Sequence, residues 1–497
     1  MKLLKGLAVL ALVMAFAVPA YAETQSIKLS GDLAVRYIGR DDYDFNSYDN
    51  DTADTDGSYF MTNAEVQLDA DLTDNVGVTV RLVNQHDWNV SAISGEGNTI
   101  HNDVDPNNVV GAGAIDGVQD NYGEFDVLVD LAYVTLKEFF FTPLTVKIGK
   151  QDIYFGKGFI IGANYEDPNG QISADEFTSF TSFKAIRATW DMEPWTIDGV
   201  FAMIEENEVQ ADDDEQLYGV NIGCDLSEYK NAEVELYYWY LRDDEIPDFV
   251  RGQERNSIHT WGTRGSYDPH EDITMWGEVA IQRGEYLHDA AQGEARKREA
   301  WACDLGMESR LWQEQYAWRP VLGAEYIFYS GQNGHESGIG SDFHGWNRMF
   351  RGKVDSAIHE WYNVFYTNGM STTDRADTNL HQFIVMGSIE PMDNLSIDGR
   401  FVHFRAHENA VNYGTAGIAH LSAGQDEKHI GDELDIELTY DYTEDVTFGL
   451  LTAWFWSGEY YAVPEEVDNN QSIAAGMDIL HDKDVASEIV ASCKVAF

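Results

Sequence analysis

The chain ends on Glu488-Ile-Val-Ala-Ser-Cys-Lys-Val-Ala-Phe497, ten residues with a period-two alternation. Ile489, Ala491, Cys493, Val495 and Phe497 share one parity, while Glu488, Ser492 and Lys494 share the other. Successive side chains of a strand point to opposite faces, so this segment has one apolar and one water-compatible face. Ten residues is also the length that carries a tilted strand across a bilayer. The same pattern recurs upstream. Ala64, Val66, Leu68, Ala70 and Leu72 alternate with Glu65, Gln67, Asp69 and Asp71; Leu434, Ile436, Leu438 and Tyr440 alternate with Asp435, Glu437, Thr439 and Asp441. Val446, Phe448, Leu450, Trp454 and Trp456 share a parity that finishes in aromatics, as an interfacial girdle does. Acids on one face and apolar groups on the other predict lipid outside and water inside.

The connections between such segments come in two kinds. Short ones fall at Thr73–Asn75, Phe139–Pro143, Glu193–Pro194, Ser227–Asn231, Asp268–His270, Trp312–Gln315, Glu390–Asn394 and Thr443–Asp445. Long, acidic, glycine-rich ones span roughly 39–57, 85–124, 150–180, 205–215, 243–255, 284–297, 331–377, 406–430 and 458–484. Short turns on one side and long loops on the other are the asymmetry of an outer-membrane barrel. Nine long loops predict nine hairpins and about eighteen antiparallel strands, with Val354–Tyr366 assigned to the seventh loop. A barrel of that size encloses an aqueous lumen unless loops fold into it.

Met1–Ala22 reads as a secretory leader: Lys2 and Lys5, an apolar run from Gly6 to Val18, then Ala20-Tyr21-Ala22, so residues 23–497 are expected to form the barrel. After residue 22 no apolar run is long enough for a spanning helix. Aromatic residues make up 13%, glycine occurs 43 times and the mean hydropathy is -0.36, as expected where lipid-facing and water-facing residues average out. The net charge is -54, and loss of the two leader lysines makes it -56. That excess excludes nucleic acid as a partner and suits solvated loops that hold cations. Cys224, Cys303 and Cys493 are odd in number and sit in apolar-patterned strands, so they read as small lipid-facing residues rather than a disulfide set.

The stretch Leu144-Thr-Val-Lys-Ile-Gly-Lys-Gln-Asp-Ile-Tyr-Phe-Gly-Lys-Gly-Phe-Ile-Ile-Gly162 carries the site expectation. Thr145, Lys147, Gly149 and Gln151 share the water-facing parity, and Gly156, Gly158 and Gly162 let the backbone turn sharply. Lys150 and Lys157 then stand on a loop that can fold inward and narrow the pore. Further basic groups expected in the lumen are Arg36, Arg81, Arg187, Arg319 and Arg400. The acids there are Glu65, Asp69, Asp71, Glu233, Glu235, Glu278, Glu325, Asp398, Asp435, Glu437 and Asp441. Rings of basic residues select anions and rings of acids select cations, so the acid excess predicts cation preference. The first loop carries Asp41, Asp42, Asp44, Asp49, Asp51, Asp54 and Asp56. Asp54-Thr-Asp56-Gly57 lacks the glutamate that closes a calcium loop, so weak divalent-ion binding, bridging to lipopolysaccharide phosphates, is the expectation and no cofactor is implied.

The same stretch resembles the alginate-export family of outer-membrane porins, in which a strand runs into a Gly-Arg-Gln element, an aromatic-Gly pair and a further Ile-Gly. The match is Gly149, Lys150, Gln151, Phe155, Gly156, Ile161 and Gly162. Phe343-His-Gly-Trp-Asn-Arg-Met-Phe350 is similar to a second family segment ahead of a late strand. The resemblance implies an eighteen-stranded porin or exporter passing small hydrophilic or sugar-like solutes by diffusion. It also implies an arginine-lined pore, from which this chain departs with few basic groups and with Lys150 where arginine is typical. The terminal Phe497 resembles the signal read by the barrel-insertion machinery. No Gly-x-Ser-x-Gly element accompanies His86-Asp87, His344 or His403, so a hydrolase is not expected. No phosphate-binding loop and no c-type haem motif occurs, although a barrel that sheathes a secreted or electron-transfer partner is the alternative.

Overall fold

A computed structural model describes residues 26–42, 57–88, 127–166, 172, 174–205, 215–228, 231–243, 256–286, 296–332, 342–361, 379–408, 428–459 and 485–497. The leader and most of the aspartate-rich first loop fall outside these residues. Eighteen strands follow one another as β1 (Ser26–Asp41), β2 (Gly57–Thr73), β3 (Val76–Asp87), β4 (Leu128–Leu136), β5 (Leu144–Gln151) and β6 (Phe183–Met192). They continue as β7 (Trp195–Glu205), β8 (Glu215–Asp225), β9 (Ala232–Asp243), β10 (Asn256–His270), β11 (Ile273–Tyr286) and β12 (Arg296–Ser309). The last six are β13 (Val321–Tyr329), β14 (Leu380–Met392), β15 (Leu395–Ala406), β16 (His429–Asp441), β17 (Val446–Ser457) and β18 (Val485–Ala496). Each pairs antiparallel with its sequence neighbours, and β18 pairs with β1 from Asp32↔Ala496 to Asp41↔Ser487. Phe497 exchanges both backbone hydrogen bonds with Gly31 at 3.0 Å, so the chain end is part of the closing seam. Closure leaves no strand edge unpaired, the condition for a sheet in hydrocarbon.

The parity readings hold on the wall. Leu29, Val66, Ile148, Ile186, Val385, Ile436 and Phe448 lie on the outward face and are exposed. Exposed aromatics ring both ends: Trp190, Trp195, Trp312 and Trp318 near the short turns, Phe60, Trp261, Trp301 and Trp456 near the long loops. All three cysteines are free and on the outward parity, with Cys303 covered by neighbours.

Three expected turns shift, the one at Glu390–Asn394 narrowing to Asp393–Asn394 because β14 runs through Pro391 to Met392 with a register slip after Ile389. β10 runs through Pro269 to His270, so the turn falls at Glu271–Asp272, and the register slips between Tyr267 and His270. Proline cannot donate to the ladder, and an irregularity there accommodates it. The connection expected at Trp312–Gln315 occupies 310–320.

The long-loop half of the lumen departs from the simple pattern. Val200, Ala202 and Ile204 on β7, Trp239 and Leu241 on β9, and Val402, Phe404 and Ala406 on β15 point inward yet are apolar and buried. They are covered by the third loop (152–182) and the seventh loop (330–379), which contribute Ile153, Phe159, Ile160, Ile161, Trp346, Met349, Phe350 and Ile358 to one continuous core. This core lies inside the barrel.

The lumen constriction as candidate functional site

The two loops meet across a short seam. Gly162 and Ala163 donate backbone N–H to the Phe350 carbonyl at 2.7 and 3.1 Å, Phe350 donates to Ile160 at 3.1 Å, and Gly352 donates to Gly158 at 2.8 Å. Glycine is required at the crossing because a Cβ on Gly352 would lie 2.6 Å from the Gly162 carbonyl carbon. The turn before it needs Gly156 and Gly158, whose φ values are 60 and 76. The inward fold expected of the 150–162 stretch is therefore present, and it is completed by the seventh loop.

Wall residues hold both loops in place. Glu433 accepts the backbone N–H groups of Ile358 and His359 at 2.7 and 2.9 Å, and Gln382 donates to Glu360 at 2.7 Å. Gln282 and Asn347 exchange two hydrogen bonds of 2.8 and 2.9 Å, and Arg298 donates to the Gly345 carbonyl at 2.8 Å. On the third loop Asn63 donates to the Phe177 carbonyl at 2.9 Å, while Arg40 pairs with Glu176 and Glu488. Buried carboxylates and amides thus replace the water these backbone groups would otherwise bind.

Charged groups surround the seam in ion-paired sets. Arg81 lies 2.7 Å from Asp130, 3.6 Å from Asp152 and 3.9 Å from Glu65. Lys353 pairs with Asp304 at 2.8 Å, Asp355 at 3.4 Å and Glu325. Burial works against its charge, yet these carboxylates hold the Lys353 ammonium above the ordinary lysine range. Arg264 pairs with Glu233 at 3.0 Å and with Glu235. Arg187 pairs with Asp198 at 2.8 Å and stacks over Phe155. Four inward cations, Arg36, Arg400, Lys147 and Lys157, have no carboxylate at ion-pair distance among the described residues. Lys147 stands over the Tyr133 ring at 5.3 Å, and Lys157 over Trp276 at 3.1 Å. Burial pushes the Lys157 ammonium below its ordinary value.

Of the expected lumen residues, Arg36, Arg81, Lys147, Arg187, Glu65, Asp69 and Glu437 are on the inward face of the wall. Arg36 donates to Asn63 at 2.9 Å and Asp69 accepts from Thr79 at 2.7 Å. Lys147 and Arg187 are opposite one another across β5 and β6. Arg400 lines a cavity of about 300 Å³ with Ser356, Asp398, Asp435 and Glu437. Lys157 lines one of about 340 Å³ with Glu233, Arg264, Trp276 and Asp304.

Three placements are corrected. Gln151 is inward but 1% exposed, and its amide braces the wall by donating to the Ala185 carbonyl at 2.9 Å, so it does not face the passage. Lys150 belongs to β5 and to the parity opposite Lys147; its Nζ lies 3.9 Å from Glu166 and over Phe180 of the third loop. Arg319 is in the 310–320 turn, exposed and 2.8 Å from Glu390. Conversely, Arg264, Arg351 and Lys353 were not anticipated. The parity of β10, with Trp261 outward, was enough to find Arg264; nothing local places the seventh-loop cations inside the barrel.

An eighteen-stranded closed barrel with its lumen narrowed by two inward loops is an outer-membrane porin, a passage for small solutes through the lipid of that membrane. Residues 34–474 match the alginate-export family, and the chain belongs to it. Among solved structures the fold is similar to Pseudomonas aeruginosa OccK9 (OpdG), with TM-score 0.54 and 11% identity, covering 95% of this chain and 99% of that one. It is similar also to Pseudomonas aeruginosa OpdQ, with TM-score 0.51, 10% identity and coverage of 96% and 99%. No curated protein matches the sequence.

Proposed function

We propose that the constriction prefers cations and neutral hydrophilic solutes over polyanions. The supporting observation is the acid excess around two of its basic groups: Arg81 and Lys353 each face three carboxylates, so each set carries net negative charge. A polyanion needs bare cations along its path, and acidic walls repel it. The barrel should give a cation-selective reversal potential in asymmetric KCl. The preference should grow as the Debye length rises from about 10 Å at 0.1 M to about 30 Å at 0.01 M. Anion selectivity at both salts overturns the reading.

A second reading rests on Lys147 and Arg187, which face each other beside the third loop and form a local basic patch able to hold acidic sugars. Replacing both by alanine separates the two. If the patch sets the narrow point, cation preference rises sharply; an unchanged reversal potential assigns selectivity to the acids.

The same proposal includes transport without catalysis, cleavage of the leader before Glu23 and recognition of Phe497 by the insertion machinery. It further includes weak binding of divalent ions by the first loop near lipopolysaccharide. Amino-terminal sequencing of the membrane-inserted protein tests the cleavage.

A further inference from the structure

We propose a transition-metal site on the outer face of the barrel at its long-loop end, formed by His403, His429 and Asp432. It is separate from the lumen. His403 and Asp432 are directly opposed across β15 and β16, on the outward parity shared by the exposed Phe401 and Ile436. Trp456, a girdle residue, is the partner of Asp432 on β17, so the cluster sits at the boundary between hydrocarbon and headgroups.

His429 reaches this face only because the ladder is irregular. Residues three apart in a strand normally point to opposite sides. Here the register between β15 and β16 shifts between Phe404 and Arg405, and the irregularity brings His429 round to Asp432. The Asp432 carboxylate then lies between two imidazoles, with Oδ1 2.7 Å from His403 Nδ1 and Oδ2 3.1 Å from His429 Nε2.

The proton arrangement points to a cation. Both ring nitrogens of His429 face carboxylates, Nε2 toward Asp432 at 3.1 Å and Nδ1 toward Glu459 at 3.0 Å. A neutral imidazole has one N–H, so one of these contacts sets a lone pair against an oxygen. A metal ion between Nε2 and Asp432 removes that conflict and leaves Nδ1–H to donate to Glu459. This is the carboxylate–histidine–metal arrangement in which an outer acid fixes the tautomer and ring orientation. Gly458 permits it: a side chain there would meet the His429 carbonyl and lie 2.9 Å from Nδ1.

The three candidate donor atoms lie within 4.8 Å of one another. Ligand atoms about 2.0–2.2 Å from a tetrahedral zinc are about 3.3 Å apart, a small adjustment from this arrangement. Two imidazoles and one carboxylate suit zinc or copper rather than calcium or magnesium. The ligand side chains are 31–39% exposed, so the remaining coordination positions open to solvent. A bound ion would pin the end of β15 to the start of β16, the two strands joined by the long loop after Ala406.

The test uses the untagged full barrel in detergent, stripped with chelator and titrated with Zn²⁺ by calorimetry, then loaded with Cu²⁺ for electron paramagnetic resonance. One tight equivalent with two-nitrogen coupling is expected. It should vanish in the His403→Gln, His429→Gln double variant and in the isosteric Asp432→Asn. It should weaken about 10–100-fold in Glu459→Gln, and persist in His381→Gln on the neighbouring strand. Heat-modifiability and conductance, unchanged throughout, report the intact barrel. Absence of a tight equivalent, or its survival in the double variant or in Asp432→Asn, overturns the site.

Discussion

The two halves of the lumen obey different rules. Toward the short turns, inward positions are polar: Asp69, Asp398 and Glu437 alternate with outward apolar neighbours. Toward the long loops, β7 carries Val200, Ala202 and Ile204 inward and Phe201 and Met203 outward, so both faces are apolar. The difference shows what touches the wall. Where the inner face meets water, period two survives; where it meets another part of the protein, the inner face is buried and can turn apolar, as on β7, while buried polar groups such as Gln382 and Glu433 bond the loop. Apolar residues on the inner parity of a membrane strand therefore mark where loops dock.

The comparison breaks most readily at Phe350, which is 1% exposed within the internal core. Phe350→Ala should cost about 3–5 kcal/mol of loop docking, as large-to-small substitutions of buried aromatics do. Single-channel recordings should show higher and noisier conductance, with the barrel still heat-modifiable. If conductance is unchanged, the internal core does not set the constriction.

A somewhat smaller effect is expected on the wall. Ile436→Arg puts a cation on the lipid face and should cost about 2–4 kcal/mol at the bilayer midplane, seen as a lower unfolding midpoint in urea. Its neighbour Glu437→Arg faces water in the lumen and should unfold as the parent does. Equal tolerance of the two would mean the assigned faces are wrong.

The smallest effect is at the seam. Gly352→Val forces atoms into the 2.6 Å approach to Gly162 and should cost about 1–3 kcal/mol of overpacking. Limited proteolysis should then cut within the third or seventh loop while the barrel stays intact. Protection equal to the parent would show that the loops do not depend on this crossing.

Much of the architecture was legible along the chain because a membrane strand answers to two solvents at once. Leu68 beside Asp69, or Ile436 beside Glu437, states its face without reference to anything distant, and nine long connections fix the strand number. The turn glycines Gly156 and Gly158 also announced the bend of the third loop. Tertiary structure alone decided what lies inside. Lys353 of the seventh loop meets Asp304 and Glu325 from two strands, Gln151 is buried against the Ala185 carbonyl of the next strand, and Gly162 meets Gly352 nearly two hundred residues away. These contacts depend on how loops of great length return to the wall, and no local period encodes that. The bulge that carries His429 to Asp432 is of the same kind, because a one-residue slip reverses a face and only the paired strand reveals it.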